Sequence, residues 1–253
     1  MATVDLVIPV YNEEHILAES VATLLHYLEG HPEHEWRVVV ANNASTDATL
    51  EVARRLETET AGKVVALDIG TKGRGIALRV AWLTSPADVV AYMDVDLSTD
   101  IAHIPELIDP LANNEVDVAY GTRLDRRSQT KRSFKREFIS RSYVFLLRTL
   151  AGLKVSDAQC GFKAMRRDAA RAVVPLVKDT QWFFDSELLL IAQKNGYRLR
   201  EIPVRWDEDP DTRVHIIKTA SEDLRGIWRL RSKGVPRVSR PPSEAPTSFL
   251  DAT

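Results

Sequence analysis

Five short apolar runs, each followed by helical spacing, fix the class of fold open to this chain. They are Leu6-Val7-Ile8-Pro9-Val10, Trp36 to Ala41, Val64 to Leu67, Val89 to Met93 and Val116 to Tyr120. Continuous rather than alternating apolar runs mark strands buried on both faces. After the first, Ile16, Val21, Leu24, Leu25 and Leu28 fall at helical spacings, and Gly30 ends the helix. Ser45-Thr46-Asp47 caps a second helix carrying Leu50, Val52, Ala53 and Leu56. Gly73-Arg74-Gly75 opens a third through Ile76, Leu78 and Trp82, and a fourth lies around Pro105 to Leu111. This alternation predicts parallel βαβ units: an α/β fold with a Rossmann-like, mostly parallel sheet flanked by helices. In such a sheet, ligands bind where the strands end.

At one such end the sequence reads Val89-Val90-Ala91-Tyr92-Met93-Asp94-Val95-Asp96. Strand residues two apart point the same way, so both carboxylates are expected to face one spot. Two like charges held together need a cation between them. Mg²⁺ or Mn²⁺ carrying a substrate's phosphates suits that role. The plainer alternative is a solvated acidic turn after a strand.

Bulk properties exclude several classes. The net charge of −2 gives no global sign of a nucleic-acid binder. A single cysteine, Cys160, excludes an intrachain disulfide framework and a cysteine-rich zinc site. No apolar run reaches the ~18 residues of a membrane-spanning helix. The first residues run straight into a strand, without the basic and apolar regions of a signal peptide. A cytoplasmic protein is expected.

Composition shifts after Gly121. From Arg123 to Arg148 there are nine basic residues against two acids, a local charge of about +7. Ile139, Tyr143, Leu146 and Leu150 form one helical stripe there, with Phe134, Phe138 and Phe145 beside it. The stripe either packs on the core or lies on a bilayer. An apolar helix follows around Phe183 to Ala192, then a late strand from Tyr197 to Trp206 and an amphipathic helix over residues 216–231. The Pro- and Ser-rich tail from Val235 reads as disordered.

Six motifs in order carry a resemblance over residues 4–230: Ile8-Pro9-Val10-Tyr11-Asn12-Glu13-Glu14, Asn42-Asn43-Ala44-Ser45-Thr46-Asp47, Lys72-Gly73-Arg74-Gly75-Ile76-Ala77, Asp94-Val95-Asp96-Leu97, Gly121-Thr122-Arg123 and Asp157-Ala158-Gln159-Cys160-Gly161-Phe162-Lys163. The chain resembles the family 2 glycosyltransferases, specifically the polyprenyl- (dolichyl-) phosphate sugar transferases. The resemblance implies a GT-A fold with a mixed sheet that binds a nucleotide-sugar and a divalent metal. It divides the chain into a glycosyltransferase domain over 1–215, a C-terminal amphipathic helix over 216–234 and a tail over 235–253. Within the domain, 1–122 is the nucleotide-sugar half, and 123–215 is the acceptor half with a basic amphipathic helix over 131–152.

The resemblance also assigns roles. Pro9, Tyr11, Asn12 and Glu14 would line the base and ribose pocket. Asn42 or Asn43 stands where the family usually has an acid, and an amide can still contact a base. Asp47 reads as a helix-start residue. Lys72, Gly73 and Gly75 would meet a phosphate at a helix N-terminus, although a plain turn is an equal reading. Asp94 would lie by the ribose, Val95 would contact the nucleotide-sugar, and Asp94 and Asp96 would hold the metal. Arg123 would meet the diphosphate. Asp157 and Gln159 lie on an acceptor loop, with Lys131, Arg132, Asp185, Glu187 and Arg213 as further acceptor or phosphate contacts and Lys218 beside Arg213 in a closing segment. Cys160 reads as a small buried filler.

The implied reaction is inverting transfer of a hexose or N-acetylhexosamine from a nucleotide-sugar to a polyprenyl monophosphate at a membrane surface. The stretch Gln159 to Lys163 favours UDP over GDP. The implied partners are the donor, the lipid phosphate, the inner face of the membrane, and a membrane protein or second copy as a possible anchor. Because a phosphate acceptor is already ionised, Asp157 is expected to orient it rather than take a proton. The main alternative is a family 2 enzyme acting on a sugar hydroxyl, with Asp157 or Asp185 as base. A nucleotide-sugar pyrophosphorylase would need a glycine-rich N-terminal loop that this chain lacks. A non-catalytic nucleotide-sugar or membrane-binding module would be expected to lose Asp94, Asp96 or Asp157, and all three are present.

Overall fold

A computed structural model describes residues 1–131, 134–207 and 216–239. Its elements run β1 (Thr3–Val10), α1 (Leu17–Glu29), β2 (Glu35–Asn43), α2 (Thr49–Glu59), β3 (Val64–Ile69), α3 (Arg74–Thr84), β4 (Val89–Met93), α4 (Ile104–Ala112) and β5 (Val118–Thr122). They continue with β6 (Gln129–Lys131), α5 (Phe134–Leu146), β7 (Phe162–Arg166), α6 (Arg167–Val173), α7 (Phe184–Lys194), β8 (Leu199–Pro203), β9 (Arg205–Asp207) and α8 (Ile216–Lys233). All five apolar runs become strands; the first four are each followed by a helix, and β5 leads through β6 to α5.

Seven strands form one sheet in the order β3-β2-β1-β4-β7-β5-β8, and β6 and β9 form a small parallel pair beside it. Strand β7 is antiparallel to both its neighbours, β4 and β5, so the sheet is mixed. Alternation sorts each strand's side chains to two cores. Val90 and Tyr92 face the core under α3, α6 and α7, while Val89, Ala91 and Met93 face the core under α1, α2 and α4. The parallel reading of the first four strands holds, but β7 and α6 were not read from the sequence. The late strand expected from Tyr197 to Trp206 is two strands, β8 and β9, split at Val204.

The basic helix is shorter than expected: α5 ends at Leu146 and gives way to a π-helical turn, Leu147–Ala151, closed by Gly152 at φ +70°. Its buried face is Val144 and Leu147, with Tyr143 packed beside them. Phe138, Phe145, Leu146 and Leu150 are exposed, so the expected stripe is split between core and surface. Val235 and Val238 pack on the core, and Asn195 bonds the Pro236 carbonyl and the Val238 amide. Residues 240–253 lie outside the described residues.

Candidate active site

Parallel strands β1, β2, β3, β4 and β5 all end at one edge of the sheet, and antiparallel β7 begins there. That reversal brings the loop over residues 156–161 to the same edge as Asp94 and Arg123. The turns here are tightly built: Asn12, Ala44 and Leu97 all hold left-handed φ values, at 56°, 56° and 52°. Such conformations cluster where a site is pre-shaped.

The first two loops are tied to each other. Asn12 Oδ1 accepts the Thr46 amide at 2.8 Å, and the Asn12 amide donates to Ser45 Oγ at 3.0 Å. Glu14 Oε2 accepts the Ala48 amide at 2.8 Å, at the start of α2. Asp47, one residue before the Ala48 N-cap of the same helix, accepts the Thr49 amide at 3.0 Å. Asn42 is buried and donates to Asp68 Oδ1 at 3.0 Å. Asn43 Oδ1 accepts the Gly73 amide at 2.6 Å. Four side chains expected at a base thus spend these groups on joining loops, while the partly exposed Asp68 places on β3 an acid that β2 lacks. Tyr11 lies under Lys72, whose Nζ is 3.5 Å from the ring centroid. Pro9 sits in β1, and the Val95 side chain is buried in the core, which leaves only its backbone at the edge.

The glycines of the third motif serve packing. The Gly75 amide donates to the Thr180 carbonyl at 3.0 Å, and a Cβ there would press on Phe184 and Thr180. With the Gly73 amide given to Asn43, these two amides of the helix start are already bonded within the protein.

Asp94 and Asp96 do not belong to β4. The strand stops at Met93, and the pair occupies a turn in which the Leu97 amide donates to the Asp94 carbonyl at 3.2 Å. Strand alternation therefore does not set their direction. Asp96 is exposed, and its Oδ1 accepts the Ser98 amide at 2.9 Å. The cation beside Asp94 is the guanidinium of Arg74. It donates to Asp94 Oδ1 at 2.6 Å and to Asp185 Oδ2 at 2.7 Å, between the rings of Tyr92 and Trp182. Asp185, 1% exposed, also takes the Tyr92 hydroxyl and the Lys163 ammonium. Lys163 is fully buried and donates to the Cys160 carbonyl at 2.5 Å. Gly161 underlies Asp94 so closely that any Cβ would fall inside its carboxylate.

A second buried pair lies beside the first. Arg123 Nε donates to Asp157 Oδ2 at 2.7 Å and its Nη2 to Oδ1 at 3.1 Å, and the guanidinium faces the Trp206 ring. Burial alone would raise the Asp157 pKa, but the Arg123 charge and hydrogen bonds outweigh it and the value falls to about 2. Burial pushes the Cys160 thiol up to about 12, which fits an inert filler. Three buried or half-buried cations, Arg74, Lys163 and Arg123, thus balance three acids, Asp94, Asp185 and Asp157.

Glu187 does not join this cluster. Fully buried, it pairs with Arg229 of α8 at 2.7 Å and accepts the Asp179 amide. Two positions on from Asp185, a helix turns the side chain to another face. Gln159 donates its amide to Asp157 and its side chain to Asp223 of α8. Arg132 and Arg213 lie outside the described residues, as do the side chains of Lys131, Lys135, Arg136 and Lys218. Sequence reading missed Arg74, Lys163, Tyr92, Gly161, Trp182, Asp68 and Asp223. Arg74, Gly161 and Lys163 stand inside motifs already noted, and an arginine between two glycines at a helix start was the available signal.

As a donor set, Asp94 and Asp96 are hard oxygens on a solvent-facing turn. Among the described residues no group of three or more acids, histidines or cysteines forms a cage. That suits an ion held by one or two carboxylates and completed by substrate phosphates and water.

The chain belongs to glycosyl transferase family 2, whose profile matches residues 5–174. It is a glycosyltransferase with the GT-A fold. Its relatives include glycosyltransferase AglD of Haloferax volcanii, 35% identical over 94% of this chain and 38% of that protein. They also include dolichyl-phosphate beta-glucosyltransferases: ALG5C of Trichomonas vaginalis, 30% identical over 92% of this chain and 75% of that protein, and the Mus musculus protein, 30% identical over 90% and 78%. The chain therefore spans well under half of AglD and about three quarters of the other two. In fold it is similar to glucosyl-3-phosphoglycerate synthase from Mycobacterium tuberculosis, solved with Mn²⁺, UDP and phosphoglyceric acid. The TM-score is 0.66 at 16% identity, over 93% of this chain and 80% of that one.

Proposed function

We propose that this chain transfers a hexose, with inversion, from a nucleotide-sugar to a polyprenyl monophosphate. The observation that carries this reading is the state of the two acids that could have served as base. Asp157 is locked to Arg123 with its pKa at about 2, far too low to take a hydroxyl proton at neutral pH. Asp185 has its oxygens filled by Arg74, Tyr92 and Lys163. A site without a base in these places suits an acceptor that arrives ionised, as a phosphate monoester does. The names of the dolichyl-phosphate relatives point the same way and favour glucose.

In this reading the nucleotide lies over Tyr11, Lys72 and Pro9, on the loops that Asn12, Glu14, Asn42 and Asn43 hold together. Asp68 offers an acceptor to the base. Asp96, with Asp94 beside it, would hold Mg²⁺ or Mn²⁺, which when bound offsets charge on the leaving diphosphate. Arg74 and Gly161 fix the Asp94 carboxylate. Arg123, oriented by Asp157 and Trp206, presents its guanidinium toward phosphate oxygens. The acceptor oxygen attacks the anomeric carbon opposite the leaving diphosphate, so an α-linked donor gives a β-linked lipid phosphate.

We also place the reaction at a membrane surface. Among the described residues no helix is long and apolar enough to cross a membrane. Phe138 and Phe145 on α5 and Leu224 and Trp228 on α8 are exposed, and Arg231 of α8 donates to the Leu150 carbonyl beside α5. Aromatic and aliphatic side chains with basic residues around them suit the interface of an anionic bilayer. The test is incubation with membranes and radiolabelled UDP- or GDP-sugars. Label moving from the UDP-sugar into an organic-soluble, mild-acid-labile lipid supports the reading; label only in water-soluble or acid-stable product opposes it.

A further inference from the structure

The core-facing side of α8 carries Asp223, Gly226, Ile227 and Leu230, at the i, i+3, i+4 and i+7 positions of one face. Ile227 and Leu230 are 2% and 4% exposed. Gly226 approaches α7 so closely that a Cβ would fall inside the Phe183 ring. Asp223 therefore occupies a position meant for an apolar residue and is itself only 3% exposed. Acids at such positions are costly unless they are satisfied or neutral.

Its surroundings are specific. Oδ2 accepts Gln159 Nε2 at 3.0 Å, whereas Oδ1 is buried with no hydrogen-bond partner. From α5, Tyr143 abuts Asp223 while bonding Ser186 of α7 at 2.8 Å. Among the described residues, the largest charge effects on Asp223 come from Asp179, ahead of α7, and Glu222 on α8 itself, both acidic. Burial, aided by these two acids, raises its pKa to about 7 against the lowering effect of Gln159 and Tyr143. Gln159 is thus held at both ends: its amide donates to Asp157 Oδ1 at 3.1 Å, and its side chain donates to Asp223. Asp157 in turn orients Arg123.

We propose that Asp223 is a positioning residue for the acceptor side of the site: it holds Gln159, and through it the loop over 156–161, against α8. The loops proposed to hold the nucleotide are tied by other contacts, at Asn12, Glu14 and Asn43, outside the loop over 156–161. Loss of the proton places an uncompensated charge in the α8 face and loosens the seat of the loop. The inference rests on the lipid-phosphate reading given above.

The test is steady-state transfer from UDP-glucose to polyprenyl phosphate in detergent, with KM measured for each substrate from pH 6 to 8. Asp223→Asn keeps an oxygen for Gln159 and cannot ionise. It is expected to hold acceptor KM near the wild-type value at pH 6 and to abolish the rise that the wild type shows toward pH 8. Asp223→Ala is expected to raise acceptor KM about tenfold, with a smaller change in donor KM. Gln159→Leu, which removes the same bond from the loop side without a substitution in α8, should raise it similarly and carries the test if the Ala variant does not fold. An acceptor KM that neither Asp223→Ala nor Gln159→Leu moves overturns the inference. So does donor KM rising in parallel, or an Asn variant as impaired as Ala. If the wild type transfers normally and the variants match it, this inference alone fails. If the wild type puts no sugar on the lipid phosphate, the proposed function fails and takes this inference with it.

Discussion

Replacing Asp157 with Asn separates the roles of charge and proton transfer at the site. The side chain is 3% exposed and accepts two guanidinium bonds, at 2.7 and 3.1 Å. Asn keeps an oxygen for one donor but turns an amide toward Arg123 and leaves that cation buried without its partner. Breaking a buried pair in this way costs about 3–5 kcal/mol. Part of the cost depends on pH. The folded pKa of about 2 lies below the unfolded value of 3.8. The ionised carboxylate therefore contributes stability above pH ~4 that is lost as pH falls through ~2. That difference of about 1.8 corresponds to about 2.5 kcal/mol. Urea unfolding at pH 7 should thus show the variant's midpoint lower by about 1–2 M, at a slope of about 2–3 kcal/mol/M. The gap should shrink by roughly half near pH 2. In transfer assays the variant should lose about 10²-fold in rate or more, with no recovery from pH 6 to 9. Coincident midpoints at pH 7, or a gap unchanged at pH 2, would refute the ion-pair account. A wild-type kcat at saturating acceptor that climbs through one pKa near neutrality, flat in the variant, would make Asp157 a base and favour a hydroxyl acceptor. The Asp223 effect is separable, because it acts on acceptor KM and worsens as pH rises.

Other outcomes follow from the same geometry. Asp96→Ala should abolish transfer without altering the fold, since the residue is exposed and the loss of metal–diphosphate stabilisation is worth several kcal/mol; wild-type turnover by the variant, or EDTA without effect on the native enzyme, would remove Asp96 from the metal. Gly161→Ala should lower transfer at least tenfold through displacement of the Asp94 carboxylate, while circular dichroism stays native; an unchanged rate would show that the position of Asp94 does not matter. Reversing the charges of Lys131, Arg132, Lys135 and Arg136, each worth about 1 kcal/mol at an anionic surface, should release the protein from anionic liposomes. Flotation that is insensitive to the reversal and to salt would make that stretch purely structural.

The strands and the edge where they end were legible because burial on both faces writes continuous apolar runs. Strand β7 was not legible, for a physical reason. Phe162-Lys163-Ala164-Met165-Arg166 carries two cations in five residues, and a lysine in so short a run reads as surface. Lys163 is buried only because Asp185 and the Cys160 carbonyl, from other elements, receive its ammonium. Arg74 was obscured in the same way, since its acids lie 20 and 111 residues further along the chain. Asp94 and Asp96 were legible as a pair but not in their geometry, because the strand stops one residue earlier and a turn with Leu97 at positive φ sets their direction. The amides of Asn42 and Asn43 looked available to a ligand, and nothing local shows that Asp68 and the Gly73 amide engage them. Asp223 sits on a helix that was expected, but its amphipathic pattern does not reveal that an acid occupies the buried face.

The central claim is that the acceptor is a lipid phosphate, and one competition measures it. The protein is given Mn²⁺ and UDP-[¹⁴C]glucose together with dolichyl phosphate in anionic liposomes and an equal concentration of phosphoglyceric acid. Partition between organic and aqueous phases is then counted against Asp96→Ala as the blank. The account predicts label in the organic phase, released by mild acid, and aqueous product no higher than the blank. Label retained in water as a glucosylated small phosphate, with an organic phase at the blank level, would contradict it.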